Sequence, residues 1–334
     1  MKTEYTILDL GRTQNQISGS SSPVFPRWLC KNTGERKTIH LAGLGDVGGT
    51  VLIGLALMGG EVIDSLGIYD LNENQCTRWE MELNQIAIPF GTKRIPETKV
   101  INEDTLFDCD VFAFCVAKAV PAVGSDVKDV RMAQFEANRT IVSWYAKKAA
   151  DAHFQGLFLV ISDPVDLLCK AALLGATDGA YPLQPNQIQG CGLGVMNARA
   201  SYYAKREERF KRYLTEGRAF GPHGQDLVLA NSILPEHYDD DCSRKLTDLT
   251  INANLKVRNA GFKPYIAPAL SSAALTILLI LKGDWNYSSN YLNGVYFGSK
   301  NRTTEEGIEW ETLPLPEKLF ERLNQSYQHL KEIL

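Results

Sequence analysis

The chain has 334 residues, 44% of them hydrophobic, enough to build a buried core in one large or two ordinary domains. Its 35 Lys and Arg and 39 Asp and Glu are interspersed and leave a net charge of -4, which excludes the broad basic field that nucleic acid requires. The longest apolar stretch, residues 265–281, is interrupted by Pro268, Ser271 and Ser272, so it reads as a buried helix rather than a membrane span.

Seven cysteines without paired or zinc-type spacing, and no signal peptide ahead of them, predict reduced thiols, no metal and a cytoplasmic protein. Residues 1–37 form a polar, breaker-rich arm, with a short apolar anchor at 25–29 expected to pack on a neighbouring surface. Residues 38–70 then read as strand, glycine turn, helix and second strand, the pattern of a dinucleotide cradle. The turn, Gly43-Leu44-Gly45-Asp46-Val47-Gly48, has the spacing G-x-G-x-x-G. Gly43 permits the tight turn, Gly45 lets the backbone approach a diphosphate, and Gly48 lets helix and strand pack closely. Asp46 and Val47 open the helix, whose unpaired first amides and positive dipole end suit an anion. Asp70 ends the second strand about 20 residues on, where a carboxylate binds ribose hydroxyls. It would repel a 2'-phosphate, and no Arg follows to compensate, so the predicted cofactor is NAD.

Beyond Asp70 the spacing predicts a helix over 72–87 and a buried parallel strand over 109–116. Residues 117–130 form a loop at that strand's C-terminal end, where open α/β sheets bind ligands; Lys118, Asp126, Lys128 and Arg131 are therefore candidates, against the reading of a solvated charged loop. A strand over 156–161, the turn Ser162-Asp163-Pro164-Val165-Asp166 and a helix over 167–174 follow, with Asp163 facing the same crevice. The breaker-rich run 175–187 holds a domain boundary. Past it come a strand over 187–193 and a long helix over 197–214, with Arg199 near its start. His223 then sits in a turn between glycines, where an imidazole is well placed for proton transfer. Of the five histidines, His40 reads as a strand residue at the edge of the core, and His153, His237 and His329 have no comparable context. The remainder, 246–334, is expected to hold two long helices around a short β segment at 291–297.

The predicted fold class is α/β: a Rossmann-type doubly wound parallel sheet in 38–183, followed by an α+β catalytic domain in 184–334, with 1–37 as an N-terminal arm. From about residue 37 onward the chain resembles the NAD-dependent lactate and malate dehydrogenase family in motif identity and order. The glycine turn and Asp70 are similar to that family's cofactor site; Arg131 matches its mobile-loop arginine, and Ser162 to Asp166 its T/S-N-P-V-D turn. Asn197-Ala198-Arg199 occupies the end of its L-D-x-x-R motif and Gly221-Pro222-His223-Gly224 its G-E-H-G turn. The resemblance implies His223 as the acid-base residue, Arg199 as the clamp for a substrate carboxylate and Arg131 as the group that polarises the carbonyl. It implies a small carboxylate substrate and a homodimer or homotetramer.

Three departures stand out. The family's relay aspartate, three residues before the clamping arginine, falls on Met196, and its turn asparagine is replaced by Asp163, which is expected to take over the relay. Pro264 stands where the family has a threonine, the loop 117–131 is long, and the β region near Tyr291 is short. The leading expectation is hydride transfer between NAD and a 2-hydroxy or 2-oxo acid. An enzyme acting on an amino or imino acid, and a non-catalytic NAD-binding homologue, both stay open.

Overall fold

The computed structural model describes residues 5–11, 35–91, 93–118 and 130–333, with the side chains of 130 and 131 outside the description. Strand β1 (Lys37–Ala42) lies between β2 (Ile63–Tyr69) and β4 (Val111–Phe114), parallel to both. Strands covered on both faces are apolar throughout, which is why Ile39, Leu41 and the whole of β4 are buried. With β3 (Glu97–Val100), β5 (Leu157–Val160) and β6 (Ile188–Gly190) the parallel part of the sheet is complete. Three antiparallel strands, β9 (Asn286–Leu292), β10 (Val295–Thr304) and β11 (Gly307–Trp310), extend it, giving the order β11-β10-β9-β6-β5-β4-β1-β2-β3. The pair β7 (Arg218–Phe220) and β8 (Val228–Ala230) forms a separate hairpin.

Side chains alternate across the sheet and build one core on each face. Leu41, Ala113 and Leu159 meet α1 (Asp46–Met58) and α2 (Glu73–Asn84). Phe112, Phe114 and Phe158 meet α3 (Val130–Asp151) and α4 (Val165–Ala176) on the other face. Each of these fully buried Phe side chains contributes about 1.5–3 kcal/mol by leaving water. The expected boundary after residue 183 falls just before the turn Pro185–Gln187, and β6 beyond it pairs with β5 before it, so the sheet runs across.

Two expectations are corrected. The long helix over 197–214 is instead α5 (Leu193–Ala204), a single turn at Glu208–Phe210 and a short α6 (Tyr213–Glu216). Glu207 adopts an extended backbone, and the bend it makes carries Phe210 and Tyr213 into the core. The expected pair of helices around 291–297 is instead α7 (Asp240–Ile251), α8 (Ala253–Asn259), a π-helical segment (Pro268–Ala274), α9 (Leu275–Lys282), three strands and α10 (Glu317–Ile333). Those strands are rich in polar residues that are nevertheless buried and bonded to each other, as where Ser288 Oγ donates to Asn301 Oδ1 at 3.0 Å.

The described part of the N-terminal arm packs on α10: Tyr5 stacks on Phe320 with ring centroids 4.3 Å apart, and Ile7 and Leu10 are buried. The apolar anchor expected at 25–29 lies outside the described residues. Among the described residues no helix is long and apolar enough to cross a membrane, and six cysteines are free thiols.

Candidate active site and cofactor cleft

A cleft of about 790 Å³ opens at the C-terminal ends of β1, β2 and β4. Gly43, Gly45, Asp46, Val47 and Gly48 line one end, Asp70 lies beyond them, and Ile141, Trp144 and Tyr145 of α3 form an apolar wall. Gly43 has φ +94°, and a Cβ there would lie 2.7 Å from the backbone of Cys115 and Val116. At Gly48 a Cβ would stand 1.9 Å from the Gly43 carbonyl oxygen, whereas at Gly45 it would meet nothing within 4 Å. Gly43 and Gly48 are thus required by the fold, and Gly45 faces open space that a ligand can fill. Asp70 is held by the same turn: its Oδ2 accepts from Leu44 N at 2.7 Å and its Oδ1 from Asn72 N at 2.9 Å.

The second cluster is built on the turn after β5 and the turn after β7. His223 Nδ1 lies 2.8 Å from Asp163 Oδ1. A carboxylate only accepts, so Nδ1 carries the hydrogen and Nε2 is the basic nitrogen of the neutral ring. That Nε2 is buried and has no hydrogen-bond partner among the described residues. The backbone is fixed independently: His223 N donates to Asp166 Oδ2 at 3.1 Å, and the buried Asp166 also accepts from Ser289 Oγ at 2.5 Å. Asn138, fully buried, donates from Nδ2 to the Asp163 carbonyl oxygen at 3.0 Å and accepts from Lys118 N at 2.9 Å, tying the two loops together. Arg199 projects from the second turn of α5; burial pushes its guanidinium pKa down, and the nearby negative charge of Asp163 opposes that shift. Asp163 thus lies between a basic nitrogen and a guanidinium, in a turn joined to the cleft lining where Ser162 Oγ donates to Val116 O at 2.8 Å.

The fold has close counterparts. The minor L-lactate dehydrogenase of Enterococcus mundtii matches with a TM-score of 0.71 at 18% identity, covering 90% of this chain and 98% of that one. The malate dehydrogenase of Archaeoglobus fulgidus in complex with NADH matches with a TM-score of 0.69, again at 18% identity, covering 88% and 97%. In sequence, the L-lactate dehydrogenase of Treponema denticola is 25% identical over 212 residues, 63% of this chain and only 62% of that protein's length. That of Halalkalibacterium halodurans is 24% identical over 310 residues, 88% of this chain and 96% of that protein. Residues 37–179 match the family described as lactate/malate dehydrogenase, NAD binding domain. Over residues 37–179 the chain is similar to the lactate/malate dehydrogenase family. The similarity is distant, as the low identities show.

NAD is the cofactor of this lactate/malate dehydrogenase-like protein, and the cleft fits it: an open cradle at Gly45, a carboxylate at Asp70 for ribose hydroxyls and an apolar wall opposite. Met196, expected at the relay position, is buried, and its sulfur lies 4.0 Å from Arg199 Nη1. Asn197, one residue on, accepts from Tyr213 OH at 2.9 Å. The side chain of Arg131, and residues 126 and 128, lie outside the described residues. Sequence reasoning gave no role to Asn138, or to Asp166 beyond its place in the 162–166 turn, and passed over Lys263, which pairs with Asp46 at 2.9 Å.

Proposed function

We propose that this protein is an NAD-dependent oxidoreductase that interconverts a small 2-hydroxy acid and its 2-oxo acid. The observation that carries the reading is the His223–Asp163 contact of 2.8 Å together with a buried Nε2 that has no partner among the described residues. A base whose far nitrogen is oriented by a carboxylate, with its near nitrogen left for substrate, is the arrangement general acid-base catalysis needs. The cofactor supplies hydride transfer. Nε2 takes the proton of the 2-hydroxyl as the carbonyl forms, and the imidazolium returns it to the oxygen in reduction. Asp163 stabilises the charged ring in place of the family's aspartate, and Arg199 pairs two-point with the substrate carboxylate. Arg131, by its place in the sequence, polarises the carbonyl.

The Asp163 side chain is 48% exposed beside Arg199, and this supports a second reading: an ammonium or iminium group on the substrate would find a carboxylate there. NADH oxidation measured over a panel of 2-oxo acids, with and without ammonium, separates them. Turnover without ammonium supports the 2-oxo acid reading, and turnover only with ammonium supports an amino acid enzyme. NADH binding with no turnover in either arm would leave a non-catalytic homologue. We also propose a homodimer or homotetramer, supported by the exposed Ile53, Leu57 and Met58 on α1; a monomer by analytical ultracentrifugation would rule it out.

A further inference from the structure

The first turn of α1 carries a negative charge where the cleft is meant to take an anion. Asp46 is the first helical residue and lines the cleft beside Gly45. A carboxylate at a helix N-terminus is favourable for the helix, yet it repels a diphosphate bound to the same amides. Something must offset it, and the structure supplies a cation from far along the chain: Lys263 Nζ lies 2.9 Å from Asp46 Oδ2.

The backbone at Lys263 is held in place. Its carbonyl oxygen accepts from Tyr265 N at 3.1 Å, and Pro264 restricts its backbone to extended conformations. Gly261, at φ +88°, makes the turn out of α8 just before it. The π-helical segment that follows is anchored on both sides. Ser272 Oγ donates to Gly192 O at 2.6 Å and accepts from Val195 N at 2.8 Å, and a Cβ on Gly54 of α1 would lie 2.7 Å from Ala274 Cβ. The Lys263 side chain is 80% exposed, so apart from Asp46, which lines the cleft, its ammonium faces solvent.

We propose that Lys263 is a cofactor-binding residue whose ammonium is shared between Asp46 and the diphosphate of the dinucleotide. This rests on the NAD cleft described above and does not depend on which acid is the substrate. Asp46 keeps the ammonium at the helix N-terminus, and the diphosphate gains a charge-assisted hydrogen bond that the glycine turn alone cannot give.

The test is binding, read by NADH fluorescence, with ADP-ribose and adenosine as competitors, on the full chain and its Lys263→Ala, Lys263→Arg and Lys263→Glu variants. Lys263→Ala should weaken NADH and ADP-ribose about tenfold and Lys263→Glu further, while Lys263→Arg keeps most of the affinity. Adenosine, which has no diphosphate, should compete equally well with all four proteins. Unchanged NADH affinity in both Lys263→Ala and Lys263→Glu would overturn the proposal, as would a parallel loss for adenosine. The loss must also persist in an Asp46→Asn background. If it vanishes there, Lys263 only neutralises Asp46 and the proposal falls. Activity on the 2-oxo acid panel is a separate readout: Lys263-dependent binding without turnover would sink the proposed reaction and leave this inference standing.

Discussion

Replacing Asp163 by Asn tests the acid-base reading most directly, because it removes charge and keeps shape. Asn can still accept from His223 Nδ1 across the 2.8 Å contact, so the tautomer survives and only the stabilisation of the charged ring is lost. Hydrogen bonds to charged groups contribute about 1.5–3 kcal/mol, and the 48% exposure of the Asp163 side chain places this one in the lower half of that range. At about 1.4 kcal/mol per decade, kcat should fall about ten- to thirtyfold, with NADH affinity little changed. Asp163→Ala, which also loses the acceptor, should cost more. The assay is steady-state reduction of the best 2-oxo acid at saturating NADH. Adding Met196→Asp to Asp163→Asn should recover part of the rate by returning a carboxylate to the family's relay position, so the two changes should be non-additive. If Asp163→Asn leaves kcat unchanged or raises it, Asp163 does not support the ring in catalysis and the reasoning fails.

Asp70→Ser should weaken both dinucleotides, since Asp70 also holds Leu44 N, but NADH by about tenfold more than NADPH; fluorescence titration showing an unchanged preference would detach Asp70 from the ribose. For a proven substrate Arg199→Lys should raise KM about tenfold or more, because an ammonium cannot reproduce the two-point match to a carboxylate; unaltered kinetics would place the clamp elsewhere. Glu311 accepts from Arg218 at 2.5 Å and from Lys300 at 2.5 Å; burial works to raise its carboxyl pKa, and these bonds outweigh it and hold the group below its ordinary range. A lowered folded-state pKa stabilises above the unfolded value and the effect is lost as pH falls through the folded value. Glu311→Gln should therefore cost about 2–3 kcal/mol in urea unfolding at pH 7 and progressively less in acid, and a cost independent of pH would contradict the assignment.

The cofactor half was legible because its signals are local. Gly43 and Gly48 are fixed by contacts within the turn and with the strand beside it, and continuous apolar runs such as Val111–Phe114 announce buried strands without help from the rest of the chain. The second half was not, for two reasons visible in particular residues. Strands β9 and β10 bury Ser288, Ser289, Asn290, Ser299 and Asn301, bonded across the strands as between Ser288 and Asn301 or to a distant turn as from Ser289 to Asp166, and leave no hydrophobic period to read. The helix from Leu193 ends at Ala204 although Lys205, Arg206 and Glu207 are good helix formers, because Phe210 and Tyr213 are needed in the core and the chain bends at Glu207 to deliver them. His40 shows the same limit at a single residue: it reads as a strand position, but its burial, its 3.0 Å contact with Leu106 O and the lowered pKa that burial causes all depend on a partner distant in sequence.

The candidate site places its carboxylates unevenly around the histidine. One turn, residues 162–166, carries two carboxylates that meet the same histidine in different ways. Asp166 is buried and bonded to His223 N and Ser289 Oγ, so it sets where the backbone of the turn sits. Asp163 is half exposed and bonded to the ring, so its charge can follow the proton on His223 without the cost of a second fully buried ion. In the family pattern the relay comes from the helix that also carries the clamping arginine. On the proposed reading that helix presents Met196 here, and the relay is supplied from the turn across the site, where Asn138 donates to the Asp163 carbonyl at 3.0 Å. On that reading the carboxylate at Nδ1 also acts on Arg199, and it lowers the net positive potential offered to an anionic substrate. A simple 2-oxo acid must bind against that carboxylate. The second reading owes its place to that consequence: the change that preserves a partner for His223 also builds a site in which a positive group beside the substrate carboxylate would be welcome.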